Sequence, residues 1–261
     1  GAAESQPNLW SGRIFATDPA ILTTAPKLQA DLTFLTDWDL ELARSQAEAL
    51  GTSISVPLAL PSPQALRDAI AGAATQGEPE QTLFLLKTLV TLTDTADDWA
   101  LLSRHFAARG AFDEALLAAT NGYLRALRPD DRHDLLKLAA EALEKLERGR
   151  EAVLALRLAQ NIEQRGDTAV ALARLAGIYG FRVLETRVEN DLARPRVCAV
   201  FSEELAKAGV TYADFVRLDQ PGLSVTASGQ EICIEGASHG ARLTATLRQG
   251  LPAADGQVLR T

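Results

Sequence analysis

Apolar residues recur at helical spacing through the first two thirds of the chain and at alternate positions through the last third. Near the start, Asp18-Pro19 reads as a cap followed by a first-turn proline, which predicts a short helix to Thr24 ended by Pro26. Thr36 with Asp39 three residues on forms a capping-box pattern. Leu40, Leu42, Ala43, Ala47 and Leu50 then keep helical spacing up to Gly51. Thr52 to Pro61 holds Ile54, Val56 and Leu58 in alternation, but its two prolines make an extended linker the better reading. The small, polar residues from Gly1 to Gly12 read as a frayed or draped start.

Ser62-Pro63 restarts helix. From about residue 62 to Tyr179 the chain is a run of Ala- and Leu-rich amphipathic segments, punctuated at Gly77, Thr95, Gly110, Pro129, Gly149 and Gly166. That pattern predicts an array of helical hairpins, solenoid-like in character. Trp99, Leu102, Phe106, Gly110, Phe112 and Ala115 follow the key positions of a tetratricopeptide repeat, in which large residues of one helix grip a small residue of the next. Gly166 to Ala171 repeats the step from Gly110 to Ala115, while Asp130 to Gln164 breaks the register.

At Phe181-Arg182-Val183-Leu184 the period changes from 3.6 to 2. Val197, Ala199 and Phe201 oppose Arg196, Cys198 and Val200, and Ile232 and Ile234 oppose Glu231, Cys233 and Glu235. Turn residues at Asp219 to Gly222, Ser228-Gly229, Ser238 to Gly240 and Gly250 to Pro252 separate these runs. The expectation is therefore a chain of α and β domains: helices over residues 1–180, then a small antiparallel β-sandwich over 181–261.

Composition narrows the function. With 34 acidic against 26 basic residues and a net charge of −8, the chain has no field to gather phosphates, which argues against nucleic acid as a partner. No run of apolar residues is long enough to predict a transmembrane segment. Methionine is absent even at position 1, so the chain is expected to begin after a processing or cloning boundary, with its native targeting segment out of view.

Candidate chemistry is sparse, and the expectation is a protein that is not an enzyme. His105, His133 and His239 never take the i, i+4 spacing of paired metal ligands, and no glycine-rich phosphate cradle is present, so neither metal nor cofactor is expected. Ser103 and His105, with Asp97 or Asp98, make a poor triad because residues two apart on a helix face different ways. Trp99, Phe106, Phe112 and Tyr123 are weak candidates for an interaction face, with core packing the stronger reading. Acidic pairs such as Glu78 with Glu80 and Asp97 with Asp98 fall at helix starts, where the helix dipole favours them.

The last sixty-odd residues resemble the first macroglobulin-like domain of bacterial alpha-2-macroglobulins, large periplasmic proteins that trap proteases. Phe201, Ser202 and Leu205, then Tyr212, Ala213, Phe215 and Val216, then Leu247 to Gly256 (Leu-Arg-x-Gly-Leu-Pro-Ala-Ala-Asp-Gly) carry the likeness, over about a quarter of the chain. The resemblance implies a non-catalytic N-terminal structural module of an endopeptidase inhibitor, located in the periplasm. Its partners would be the other domains of the same chain and, through the full-length protein, proteases. Cys233-Ile234-Glu235-Gly236 superficially resembles that family's Cys-x-Glu-Gln thioester sequence, but Gly236 supplies no side chain to acylate a thiol. Alternation puts Cys198 and Cys233, 35 residues apart, on the outer face of the sandwich, where they are either a disulfide or two unpaired small hydrophobes. The periplasmic setting implied by the resemblance favours the bridge. The competing function is a peptide- or protein-binding adaptor built on the helical hairpins. A cell-wall hydrolase accessory domain is disfavoured by the lack of a recognisable carboxylate pair.

Overall fold

The computed structural model describes residues 18–53, 61–191, 193–205 and 208–260. The start read as draped and most of the predicted Thr52 to Pro61 linker lie outside the described residues. Helix α1 (Pro19–Asp31) is capped by the Asp18 side chain, which accepts from the Ala20 amide at 2.9 Å. Contrary to expectation, Pro26 does not end it. Proline leaves the Leu22 carbonyl without its amide donor, yet Ala25, Leu28 and Leu32 are buried on both sides of it, and that burial outweighs one missing hydrogen bond. Helix α2 (Asp37–Ser53) opens on the capping box: the Thr36 amide donates to Asp39 Oδ2 at 2.8 Å and the Asp39 amide to Thr36 Oγ1 at 3.1 Å. It buries Ala43, Ala47 and Leu50, runs past Gly51, and leaves Leu42 on its exposed side.

Six helices follow as three hairpins: α3 (Pro63–Thr75) with α4 (Pro79–Thr93), α5 (Ala96–Ala108) with α6 (Phe112–Tyr123), and α7 (Pro129–Lys145) with α8 (Gly149–Ile162). Ser62 caps α3 and Thr95 caps α5, while Gly77 and Gly110 take the positive φ that closes α3 and α5. Neighbouring hairpins pack α4 on α5 and α6 on α7. Helix α2 lies against α6 and α4, where Asn121 Nδ2 donates to the Ala43 carbonyl, and it is tied to the start of α8 by a two-bond fork from Arg148 to Asp39. Gly122 is the close-approach point of α6, since a Cβ there would sit 2.6 Å from Leu135 Cδ2 and 3.1 Å from Trp99 Cβ. Helix α9 (Gly166–Tyr179) begins against α7, where His133 bonds Thr168 Oγ1 at 2.8 Å and Lys137 bonds Asp167 at 2.5 Å.

The strands form a four-stranded antiparallel sheet in the order β1 (Val183–Glu189), β2 (Arg196–Phe201), β5 (Glu231–Glu235), β4 (Ser224–Ser228). A two-stranded sheet pairs β3 (Val216–Leu218) with β6 (Ala245–Leu247). One core holds Phe201, Ile232 and Ile234 of the first sheet together with Val216 of the second, and Phe181, Tyr212 and Leu251 from the connections. A register shift between Val183 and Glu185 bulges β1 at Leu184. Without that extra residue Glu185 would share the inward face of Val183; with it, Glu185, Arg187 and Glu189 face outward. The tetratricopeptide-like and alternating patterns thus correspond to a helical region followed by a small antiparallel β domain. The chain divides into two compact units between Leu172 and Ala173, inside α9, eight residues before the change of period at Gly180.

Candidate functional site

Two places carry side chains that bear on function, one in each unit. In the β unit the Cys198 and Cys233 sulfurs are bonded, between directly paired residues of β2 and β5. The Phe201 amide donates to the Gln230 carbonyl, so that pair is hydrogen-bonded. Three residues along, Cys198 and Cys233 fall on a non-hydrogen-bonded pair, the position at which antiparallel strands bring side chains closest. Their Cα atoms are 4.0 Å apart, a little shorter than the usual spread of roughly 4.4–6.8 Å.

Neither cysteine joins the inner core, in keeping with the outward alternation, yet both are buried. Long charged side chains cover them. Arg187 on β1 reaches across β2 to Glu231 on β5 at 3.0 Å, over Cys198, and also pairs with Glu185; Arg196 pairs with Glu189. Such exposed pairs are worth about 0–1 kcal/mol each, so their main effect here is that their hydrocarbon stems shut water away from the disulfide. Among the described residues, Cys198, Glu231 and Cys233 are also the one group within ligand distance of each other for a metal, and the disulfide occupies both sulfurs. The same bond removes the Cys233 thiol from any thioester chemistry, and Gly236 beyond it has φ +100°.

In the helical unit, α3, α5 and α7 line a cleft of about 530 Å³. Asp97, Ala100, Leu101 and Arg104 project into it from α5 at i, i+3, i+4 and i+7, Asp131, Asp134 and Leu135 from α7, and Arg67 from α3. Asp98 is wholly buried at the α5 start. It accepts two bonds from Arg67 Nη2 (3.0 and 2.8 Å) and bonds from the Thr93 and Thr95 hydroxyls, so Arg67 is committed to it. Asp134 pairs with Arg165 at 2.6 Å, and Asp131 faces Arg128 at 3.3 Å. Burial, together with Asp97, Asp130 and Asp134, pushes the Asp131 carboxyl above its ordinary range despite Arg128.

The aromatic candidates do not line this cleft. Trp99 and Tyr123 are almost fully buried, Phe106 is buried at 9% exposure and Phe112 is half-buried. Trp99 Nε1 donates to Asp94 Oδ1 at 2.7 Å, and the Arg125 guanidinium lies 5.1 Å over its ring. Burying an aromatic side chain hides roughly 150–250 Å², about 4–6 kcal/mol at 25 cal/mol per Å², so the interior is where Trp99 stabilises most. Ser103 is buried and donates to the Ala115 carbonyl, while Asp98 is held by Arg67; the conceivable triad is thereby dispersed. His133 is an interior residue bonded to the Ala159 carbonyl and Thr168. Sequence reasoning missed Asp94, Arg125, Gly122 and the Arg67–Asp98 pair. Gly122 alone left a trace, as a glycine inside a helical period rather than at its end.

No protein-family model matches the chain, and no curated protein is detectably similar to it. Among the described residues no helix is long and apolar enough to cross a membrane.

Proposed function

We propose that the chain is a non-catalytic structural module of a bacterial alpha-2-macroglobulin-like protease trap, working in the periplasm, with residues 181–261 as a macroglobulin-like sandwich and the helical region as scaffold. The observation that carries this reading is the Cys198–Cys233 bond between neighbouring strands, inside the stretch whose wording resembles that domain. A buried disulfide belongs to an oxidising compartment. By the resemblance, a protease would cut a bait segment elsewhere in the full-length protein and be held by closure, and this module would supply scaffold and docking surface. The test is the redox state in the cell: acid quenching followed by alkylation is expected to leave both cysteines unmodified. Two free thiols in freshly quenched cells would sink the periplasmic assignment.

A second reading, a peptide- or protein-binding adaptor, is favoured by the cleft across α3, α5 and α7. An adaptor should retain its partner when the helical half alone is used in a pull-down.

A further inference from the structure

We propose that the free edge of β1 pairs antiparallel with β1 of a second copy of this chain, about a twofold axis level with Thr186. Strand β1 (Val183–Glu189) is an outer strand of the four-stranded sheet, with β2 on one side only. Which of its backbone groups are free follows from the ladder. Phe201 turns its amide to β5, so by alternation Cys198 turns its N–H and C=O to β1, opposite Arg187. Thr186 and Val188, on either side of Arg187, therefore turn theirs to the free edge, and they have no ladder partner there among the described residues. The strand's apolar side chains are as open as its backbone. Leu184 is 55% and Val188 58% exposed, and neither joins the core of the β unit.

Register is what names the occupant. Two β1 edges bond through residues that turn outward on both, so in a symmetric pair the axis lies level with one residue. Level with Thr186, the whole of Val183–Glu189 overlaps; Leu184 faces Val188 of the second copy and Glu185 faces its Arg187, each twice. One residue either way, like charges meet: Glu185 on Glu185, or Arg187 on Arg187 with Glu185 on Glu189. Level with Leu184 or Val188, only about three residues of each strand overlap. Arg187 already holds Glu185 and Glu231 within its own chain, so charge selects the register, while backbone bonds and the burial of Leu184 and Val188 drive the pairing. Edge strands that avoid self-pairing commonly carry lysine, proline or an inward-pointing charge, and β1 carries none of them. Its bulge lies at one end and leaves Glu185 to Glu189 regular.

The test uses the oxidised full chain in sedimentation velocity from about 5 µM to about 1 mM. A contact of this size is expected to give a monomer–dimer equilibrium with a dissociation constant on the order of 100 µM. The Thr186 and Val188 amides should gain protection from exchange as concentration rises. Val188→Lys, at a position already exposed, should weaken dimerisation about tenfold, while Thr226→Lys on β4, the opposite edge, leaves it unchanged. Glu185→Arg and Arg187→Glu should each weaken it roughly three- to thirtyfold, since each sets like charges opposite one another. Mixed in equal amounts, these two variants should associate as well as the wild type, a rescue that the ion pair within one strand cannot supply. A monomer up to about 1 mM, open-ended assembly, an equal effect of Thr226→Lys, or no recovery on mixing would overturn the inference. If a variant proves unfolded by circular dichroism, the wild-type exchange decides alone: no concentration-dependent protection at Thr186 and Val188 overturns it.

Discussion

Tyr123 is 1% exposed, and its hydroxyl meets no hydrogen-bond partner among the described residues, so the ring stabilises the α5–α6 core while the oxygen costs desolvation. Burial first, and Asp31 second, push its phenol up to about 12. Tyr123→Phe is therefore expected to leave stability unchanged or raise it by about 1 kcal/mol, as read from urea midpoints. The pH dependence has a definite sign. An unfolded tyrosine ionises near 10, so the neutral phenol's contribution is full below about pH 10 and is lost as pH rises through about 12. The Phe variant should lack that alkaline component. Asp39 behaves oppositely. Its bonds from Arg148, aided by Thr36 and opposed by burial, hold the carboxyl down at about 2. The stability it contributes is present above about pH 4 and disappears as pH falls through about 2. Asp39→Asn should cost about 1–3 kcal/mol at neutral pH and flatten the acid limb of the stability curve.

At the scale of elements, the disulfide staples β2 to β5 at the centre of the four-stranded sheet. Loop entropy for 35 residues makes it worth roughly 3–4 kcal/mol to the β unit. Replacing both cysteines by serine should therefore lower the thermal midpoint of the β transition, followed by near-ultraviolet circular dichroism, and leave the helical transition in place. A common downward shift of both transitions would show that the two units unfold as one. The cover of Arg187 and Glu231 over Cys198 adds a kinetic corollary: reductant should reach the bond slowly in the folded state.

At the scale of the whole molecule, this chain added in molar excess to a broad-specificity protease is expected to leave cleavage of both a small chromogenic substrate and a protein substrate unchanged. Direct inhibitors present a rigid loop to an active site, whereas the trapping mechanism proposed above needs bait cleavage and closure by other domains. Stoichiometric loss of activity on the small substrate would show that the module itself occludes an active site, and the scaffold reading would fall. The position of the division inside α9 also bears on truncation. A fragment beginning at Ala173 keeps the second compact unit whole, whereas one beginning at Phe181 removes eight of its residues.

Local order was legible in the residues themselves. Caps at Asp18, Thr36, Ser62 and Thr95, glycines at the helix ends and the change of period after Gly180 mark elements because hydrogen-bond satisfaction and side-chain direction are decided within a few residues. The outward direction of Cys198 and Cys233 followed from alternation for the same reason. What depended on partners distant in the chain was not legible. Pro26 stays inside α1 because buried neighbours on both sides outweigh a missing donor, and Leu184 bulges because only that shift turns Glu185 away from the core. Gly122 is required by Leu135 and Trp99, the Arg67–Asp98 pair joins residues 31 apart, and Arg148 meets Asp39 across 109 positions. Each is a contact between elements, and periodicity constrains which face an element buries without stating what that face will meet. The cleft follows the same rule: Asp97 and Asp98 were visible as helix-start residues, and only the packing of three hairpins brought Asp131 and Asp134 to the same place.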